Sequence, residues 1–85
     1  MKSAELMSKS RKLWSDVLKN ENVNRVEDFF DQGGTSLSLI ELLSETRKQF
    51  SVNLKASDFE EGLSLELYEA LLLKSMNQES QKAVL

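Results

Sequence analysis

The 85-residue chain has no proline and three glycines, and two of those glycines, Gly33 and Gly34, stand side by side. A chain this poor in helix breakers is expected to fold as helices joined by few loops. The glycine pair leaves the backbone free to turn sharply there. A run with helical spacing opens directly after it. Leu37, Ile40, Leu43 and Arg47 form one line along that run, and Leu39, Leu42, Leu43, Thr46 and Phe50 form another. This predicts a helix over residues 36–50. Its apolar arc is wider than one partner helix needs, so part of it is expected to pack inward and part to stay exposed. Leu43, where both lines overlap, is expected in the core, and Leu37, in the first turn, at the surface. Ser36 falls where the helix begins. Free backbone N–H groups and the positive end of the helix dipole gather there and favour an anion. The plain alternative for Ser36 is a helix N-cap, a position that serine often fills.

The rest of the chain supplies further helices. Ser3 is placed to cap a first helix over residues 4–19, in which Leu6, Leu13, Trp14, Val17 and Leu18 recur at spacings of three and four, with Met7 on the same broad side. A lone Trp on such a stripe belongs to the core. The Asn-rich segment from Asn20 to Asn24 breaks the pattern and begins a long loop punctuated by Val23, Val26, Phe29 and Phe30. A loop of that length in a small domain is often functional. Its apolar residues are expected to anchor it, with Phe29 and Phe30 as the main anchors. Residues 51–55 read as an extended connector. Ser57 and Glu60 have capping-box spacing, and Gly62 can end the turn, which predicts a short helix over residues 56–61. Ser64 is placed to cap a last helix over residues 65–76, with Leu65, Tyr68, Leu71 and Leu72 facing inward and Leu67 and Met76 partly so. The small, polar residues 77–85 are expected to form a flexible tail. The fold class is all-α: an antiparallel bundle of three longer helices and one short one with a long first loop. Residues 1–85 are expected to form a single domain whose core spans residues 4–76.

Composition narrows the chemistry. Histidine and cysteine are both absent, which removes the commonest general base, the commonest metal ligand and every disulfide. Neither a catalytic set nor a metal site is expected. Asp28 and Asp31 lack the regular oxygen-ligand spacing of a calcium loop. Residues 1–20 hold five basic and two acidic side chains, while residues 21–46 hold six acidic and one basic. An acidic sector around Ser36 argues against nucleic acid and suits partners with basic docking surfaces. No apolar run approaches the ~20 residues needed to span a bilayer, and no signal-peptide core is visible. The expectation is a cytoplasmic protein, without nucleic-acid or membrane partners, acting as a monomer.

The segment Asp28-Phe29-Phe30-Asp31-Gln32-Gly33-Gly34-Thr35-Ser36-Leu37 resembles the attachment motif of the thiolation, or peptidyl carrier, domains of non-ribosomal peptide synthetases, within the acyl carrier protein superfamily. The resemblance extends over roughly residues 6–73. It implies the four-helix carrier fold and a covalent 4′-phosphopantetheine, taken from coenzyme A, on Ser36. It implies docking through Phe30, Gly34, Thr35, Leu37 and Ile40. The partners it implies are a phosphopantetheinyl transferase and adenylation, condensation, thioesterase or tailoring enzymes. The chain would then be no enzyme but a shuttle that tethers aminoacyl, peptidyl or acyl groups as thioesters in non-ribosomal peptide or hybrid polyketide biosynthesis. Gly-Gly-Thr-Ser-Leu with Phe29-Phe30 is closer to the peptide-synthetase kind than to fatty-acid carriers, which resemble Asp-Ser-Leu at this point. Met1 and a full domain length suggest a free-standing carrier. The competing reading is a small helical adaptor without a prosthetic group, binding a partner helix through exposed Leu and Phe residues.

Overall fold

The computed structural model describes residues 3–84, with side chains described for residues 4–76. Three α-helices and one 3₁₀ turn follow in order: α1 (Ser3–Leu18), α2 (Ser36–Phe50), the turn Ala56–Phe59, and α3 (Leu65–Val84). No strand occurs among the described residues. The all-α bundle with a long first loop is therefore present. α1 packs against both α2 and α3. α2 and α3 are linked by a buried hydroxyl pair. Thr46 Oγ1 donates to Leu42 O at 2.6 Å and lies 2.5 Å from the Tyr68 hydroxyl. With the Thr46 proton committed to its own helix, Tyr68 is left to donate across the gap.

The core is aromatic at its centre. Trp14, Phe29 and Tyr68 are completely buried. The Trp14 ring meets Phe29 edge-on at 5.3 Å and Tyr68 at 5.6 Å, the geometry aromatic quadrupoles favour. Trp14 is thus a core residue, as its place on an apolar stripe suggests. Leu6, Leu42, Leu65 and Leu72 close around these rings. Val52 and Leu54 are both buried, while Ser51, Asn53 and Lys55 between and beside them are exposed. The segment alternates as expected, but it is not extended throughout: Ser51 takes the left-handed region (φ 57°) and caps the end of α2, its N–H donating to Arg47 O at 3.0 Å.

Several expectations need correction. Leu42 is fully buried, whereas Leu43 is half-buried and packs at the core's edge. Both lie on the predicted stripe, but Leu42 and Thr46, one turn apart, are the buried pair, and Thr46 meets Tyr68 of α3. Val26 does not anchor the loop; it is exposed, and Val23 and Phe29 are the anchors. Met7 and Leu67 are exposed by 44% and 49%. Ser3 is the first residue of α1 rather than a residue before it. α1 ends at Leu18, with Lys19 in the left-handed region (φ 56°) and Asn20 N–H donating to Ser15 O at 3.1 Å. The short third helix is a single 3₁₀ turn. Its start is tied by Asp58, whose carboxylate accepts from Lys55 N–H at 2.9 Å, and not by Ser57. Gly62 (φ 135°) does end this segment, its N–H donating to Phe59 O at 3.0 Å. Ser64 caps α3 as expected, its hydroxyl accepting from Leu67 N–H at 3.2 Å. The α3 backbone runs on to Val84, past the expected end at residue 76. No helix among the described residues is long and apolar enough to cross a membrane.

Candidate functional site

The loop before α2 is a fixed structure, held by its own polar side chains. Asn24 Oδ1 accepts from Val26 N–H at 2.9 Å and from Glu27 N–H at 3.0 Å. Gln32 reaches back across the loop. Its Oε1 accepts from Asn24 N–H at 2.8 Å, and its Nε2 donates to Asn24 O and Glu27 O, each at 2.9 Å. Arg11 on α1 donates to Val23 O at 3.1 Å. On the other side the loop is stapled to the entry of α3. Phe29 N–H donates to Leu63 O at 2.6 Å, and Leu63 N–H donates to Asp28 Oδ1 at 2.9 Å. Arg25 and Glu69 add an ion pair at 2.8 Å. The ties to Arg11, Leu63 and Glu69 join positions far apart in sequence, and no local pattern announces them.

The two glycines act differently. Gly33 takes φ 98°, with open space where a Cβ would stand. It is the left-handed residue that ends the turn begun at Asp28, where Gln32 N–H donates to Asp28 O at 3.2 Å. Gly34 has no positive φ. A Cβ there would overlap the Phe29 ring and come within 2.7 Å of the Phe29 carbonyl oxygen. Gly34 is glycine because backbone must lie flat on the buried Phe29, and its N–H donates to Phe29 O at 3.0 Å.

α2 then opens with a cap that sequence reading missed. Thr35, not Ser36, is the N-cap (φ −125°, ψ 171°). Its hydroxyl accepts from Ser38 N–H at 3.1 Å, and Ser38 Oγ accepts from Thr35 N–H at 2.6 Å. This is a reciprocal capping box with serine in the place usually held by Glu or Gln. The signal was a Thr three residues ahead of a hydroxyl residue at the foot of a periodic run. Ser36 is the first helical residue, exposed, and its hydroxyl has no hydrogen-bond partner among the described residues. The cap takes Ser38 N–H, and Leu39 N–H is bonded to Thr35 O at 2.9 Å. The N–H groups of Ser36 and Leu37 are left as the free donors of the helix end. A free hydroxyl beside two unpaired donors and a positive dipole end suits a phosphate ester.

Three large apolar side chains within six residues of Ser36 in sequence are exposed. Leu37 is 67% exposed, Ile40 63% and Phe30 48%. Phe30 rests edge-on against Phe29 at 5.5 Å. Its backbone N–H donates to Asp28 Oδ2 at 3.0 Å. A cavity of about 320 Å³ opens between the loop, α2 and the 3₁₀ turn, with Phe30, Leu39, Ala56 and Phe59 in its walls. Of the five positions singled out for docking, Phe30, Leu37 and Ile40 present side chains to solvent. Gly34 is half-buried under a steric constraint, and the exposed Thr35 is occupied in the cap. Among the described residues no cluster of acidic, His or Cys side chains could hold a metal ion.

The fold thus presents Ser36 as an exposed, unbonded hydroxyl at the start of α2. The family model described as "phosphopantetheine attachment site" matches residues 11–72, most of the chain. The chain belongs to this family and is a carrier of covalently attached 4′-phosphopantetheine. Syringomycin synthase SyrB1 of Pseudomonas syringae pv. syringae is 34% identical over 67 residues, which cover 79% of this chain and 11% of that protein. A plipastatin synthase polypeptide of Bacillus subtilis (strain 168) is 44% identical over 50 residues, covering 59% of this chain and 2% of that protein. Indigoidine synthase of Streptomyces lavendulae is 31% identical over 72 residues, covering 85% of this chain and 6% of that protein. The chain therefore spans only a small part of the length of each of these relatives.

Proposed function

We propose that the chain carries 4′-phosphopantetheine on Ser36 and serves as a peptidyl carrier in non-ribosomal peptide biosynthesis. The observation that carries this reading is the state of Ser36. Within the matched family segment it is an exposed, unbonded hydroxyl at the first position of α2. The class of product rests on the relatives, which include syringomycin, plipastatin and indigoidine synthases. When bound, the group supplies a thiol on which an aminoacyl or peptidyl group is held as a thioester. The chain's own residues position and present. Phe29 and Gly34 fix the loop, the Thr35–Ser38 box fixes the first turn, and the N–H groups of Ser36 and Leu37 face the anion. Attachment forms one Ser36 Oγ–P bond and releases 3′,5′-ADP from coenzyme A, the hydroxyl proton passing to a base of the transferase. Phe30, Leu37 and Ile40 form an apolar face around the arm on which adenylation, condensation, thioesterase or tailoring partners dock. With neither His nor Cys, the chain itself has little with which to run a reaction. We read it as a carrier only.

The test is an intact mass after incubation with coenzyme A and a broad-specificity phosphopantetheinyl transferase. The expected result is one added phosphopantetheine on the natural chain and none on Ser36→Ala. An unchanged mass on the natural chain would favour the adaptor reading of the apolar face.

A further inference from the structure

Three hydroxyls lie within four residues at the start of α2: Thr35, Ser36 and Ser38. Two of them are consumed by each other and by the backbone. Ser38 Oγ accepts from Thr35 N–H at 2.6 Å, donates to Thr35 O at 3.0 Å and lies 3.1 Å from Thr35 Oγ1. A hydroxyl has one proton and two acceptor sites. With its proton on Thr35 O, Ser38 can take the Thr35 hydroxyl proton as its second acceptance, and its capacity is then full. Thr35 Oγ1 likewise gives its proton to Ser38 and accepts from Ser38 N–H at 3.1 Å. Only Ser36 keeps both a free proton and free lone pairs. The same box ties down the backbone on both sides of Ser36, since Thr35 N–H and Ser38 N–H are its two backbone donors.

We propose that Thr35 and Ser38 are positioning residues for cofactor attachment: their reciprocal box locks the first turn of α2 so that Ser36 alone is offered as the nucleophile, in one orientation. The proposal rests on the reading of Ser36 as the attachment residue. In the free protein an open box lets the first turn fray, and the transferase then meets a disordered hydroxyl. Box formation must be restored before the Oγ–P bond can form. Stability of the whole domain is a separate matter, because a frayed first turn leaves the Trp14–Phe29–Tyr68 core in place.

The experiment measures kcat/KM for transfer from coenzyme A, beside a thermal melt of each variant. Thr35→Ala and Ser38→Ala are expected to lower kcat/KM at least twofold and up to roughly five- to tenfold, the upper figure being the change in the closing equilibrium when a cap is lost. Both should remain folded at the assay temperature. Ser38→Gln, which can rebuild the return arm of the box, and Thr35→Asn, which can rebuild the cap, are expected to recover most of the rate. A purely structural role would shift the melts and leave the rate per folded molecule unchanged, and that result overturns the proposal. So does a Ser38→Gln protein as slow as Ser38→Ala. Ser36→Ala run in parallel separates the two claims: cofactor mass on that variant defeats the attachment reading, whereas full-rate modification of the cap variants at Ser36 defeats only the role of the box.

Discussion

Gly33 and Gly34 read alike in the sequence and are held by different physics. Gly33 is required for its backbone angle, and Gly34 for the absence of a Cβ over Phe29. A sequence announces that glycine is present but not which of these reasons applies, because the second depends on a ring brought there by the fold. Gly33→Ala has open space and suffers only the left-handed backbone, a cost of roughly 1–2 kcal/mol. Gly34→Ala must displace a fully buried ring and a carbonyl group. Overpacking of that kind costs typically about 1–3 kcal/mol, and here it also pulls at the Phe29–Leu63 staple. Urea unfolding of the two variants is expected to rank Gly34→Ala as the less stable. The reverse order would mean that the loop moves off Phe29 without penalty. Ser36→Ala, by contrast, removes no cap and is expected to unfold within about 0.5 kcal/mol of the natural chain, as surface changes usually do.

At the scale of the element, α2 was the most legible part of the chain. Its bounds, residues 36–50, follow from the glycine pair at one end and the end of apolar spacing at the other. The 3₁₀ turn was legible as a short helical piece but not as 3₁₀. Four residues cannot establish a periodicity, and the local winner was Asp58 reaching back to Lys55 rather than Ser57 reaching forward. The stripe on α2 identified which residues are apolar but placed its centre one residue too far along. Which of Leu42 and Leu43 is covered depends on how the rest of the bundle packs against α2, and that packing is not a local property. Truncating a buried Leu costs roughly 2–5 kcal/mol, while an exposed one costs little. Leu42→Ala is therefore expected to lower the unfolding midpoint sharply, and Leu37→Ala to leave it nearly unchanged while slowing loading by a partner enzyme. Thermal melts and loading rates on the two proteins check both halves. A sharp melt shift for Leu37→Ala with normal loading per folded molecule would move the docking face elsewhere.

For the molecule as a whole, the long-range ties were invisible in advance: Arg25 to Glu69, Phe29 to Leu63, and Thr46 to Tyr68 pair positions that no motif connects. The last of these makes stability depend on alkaline pH. Burial pushes the Tyr68 phenol from 10.0 up to about 12, and the Glu69 charge adds to the rise. Below pH 10 the phenol is protonated whether the chain is folded or not, and its contribution is constant. Above that, the unfolded phenol releases its proton while the folded one keeps it. Unfolding then releases a proton, and stability falls as pH rises toward 12, by about 2–3 kcal/mol in all at 1.36 kcal/mol per unit. Tyr68 is the chain's one tyrosine, so tyrosinate absorbance reports this group alone. The folded protein is expected to ionise near pH 12 or only as helical circular dichroism is lost. Ionisation near pH 10 with the helices intact would contradict the buried hydroxyl pair.

The carrier assignment reduces to one oxygen atom. Fragmentation mass spectrometry of the chain after loading from coenzyme A locates the added group among Thr35, Ser36 and Ser38. The whole of the phosphopantetheine mass is expected on Ser36, the one hydroxyl of the three that the fold leaves unbonded. Mass on Thr35 or Ser38, or on no residue of this segment, would contradict it.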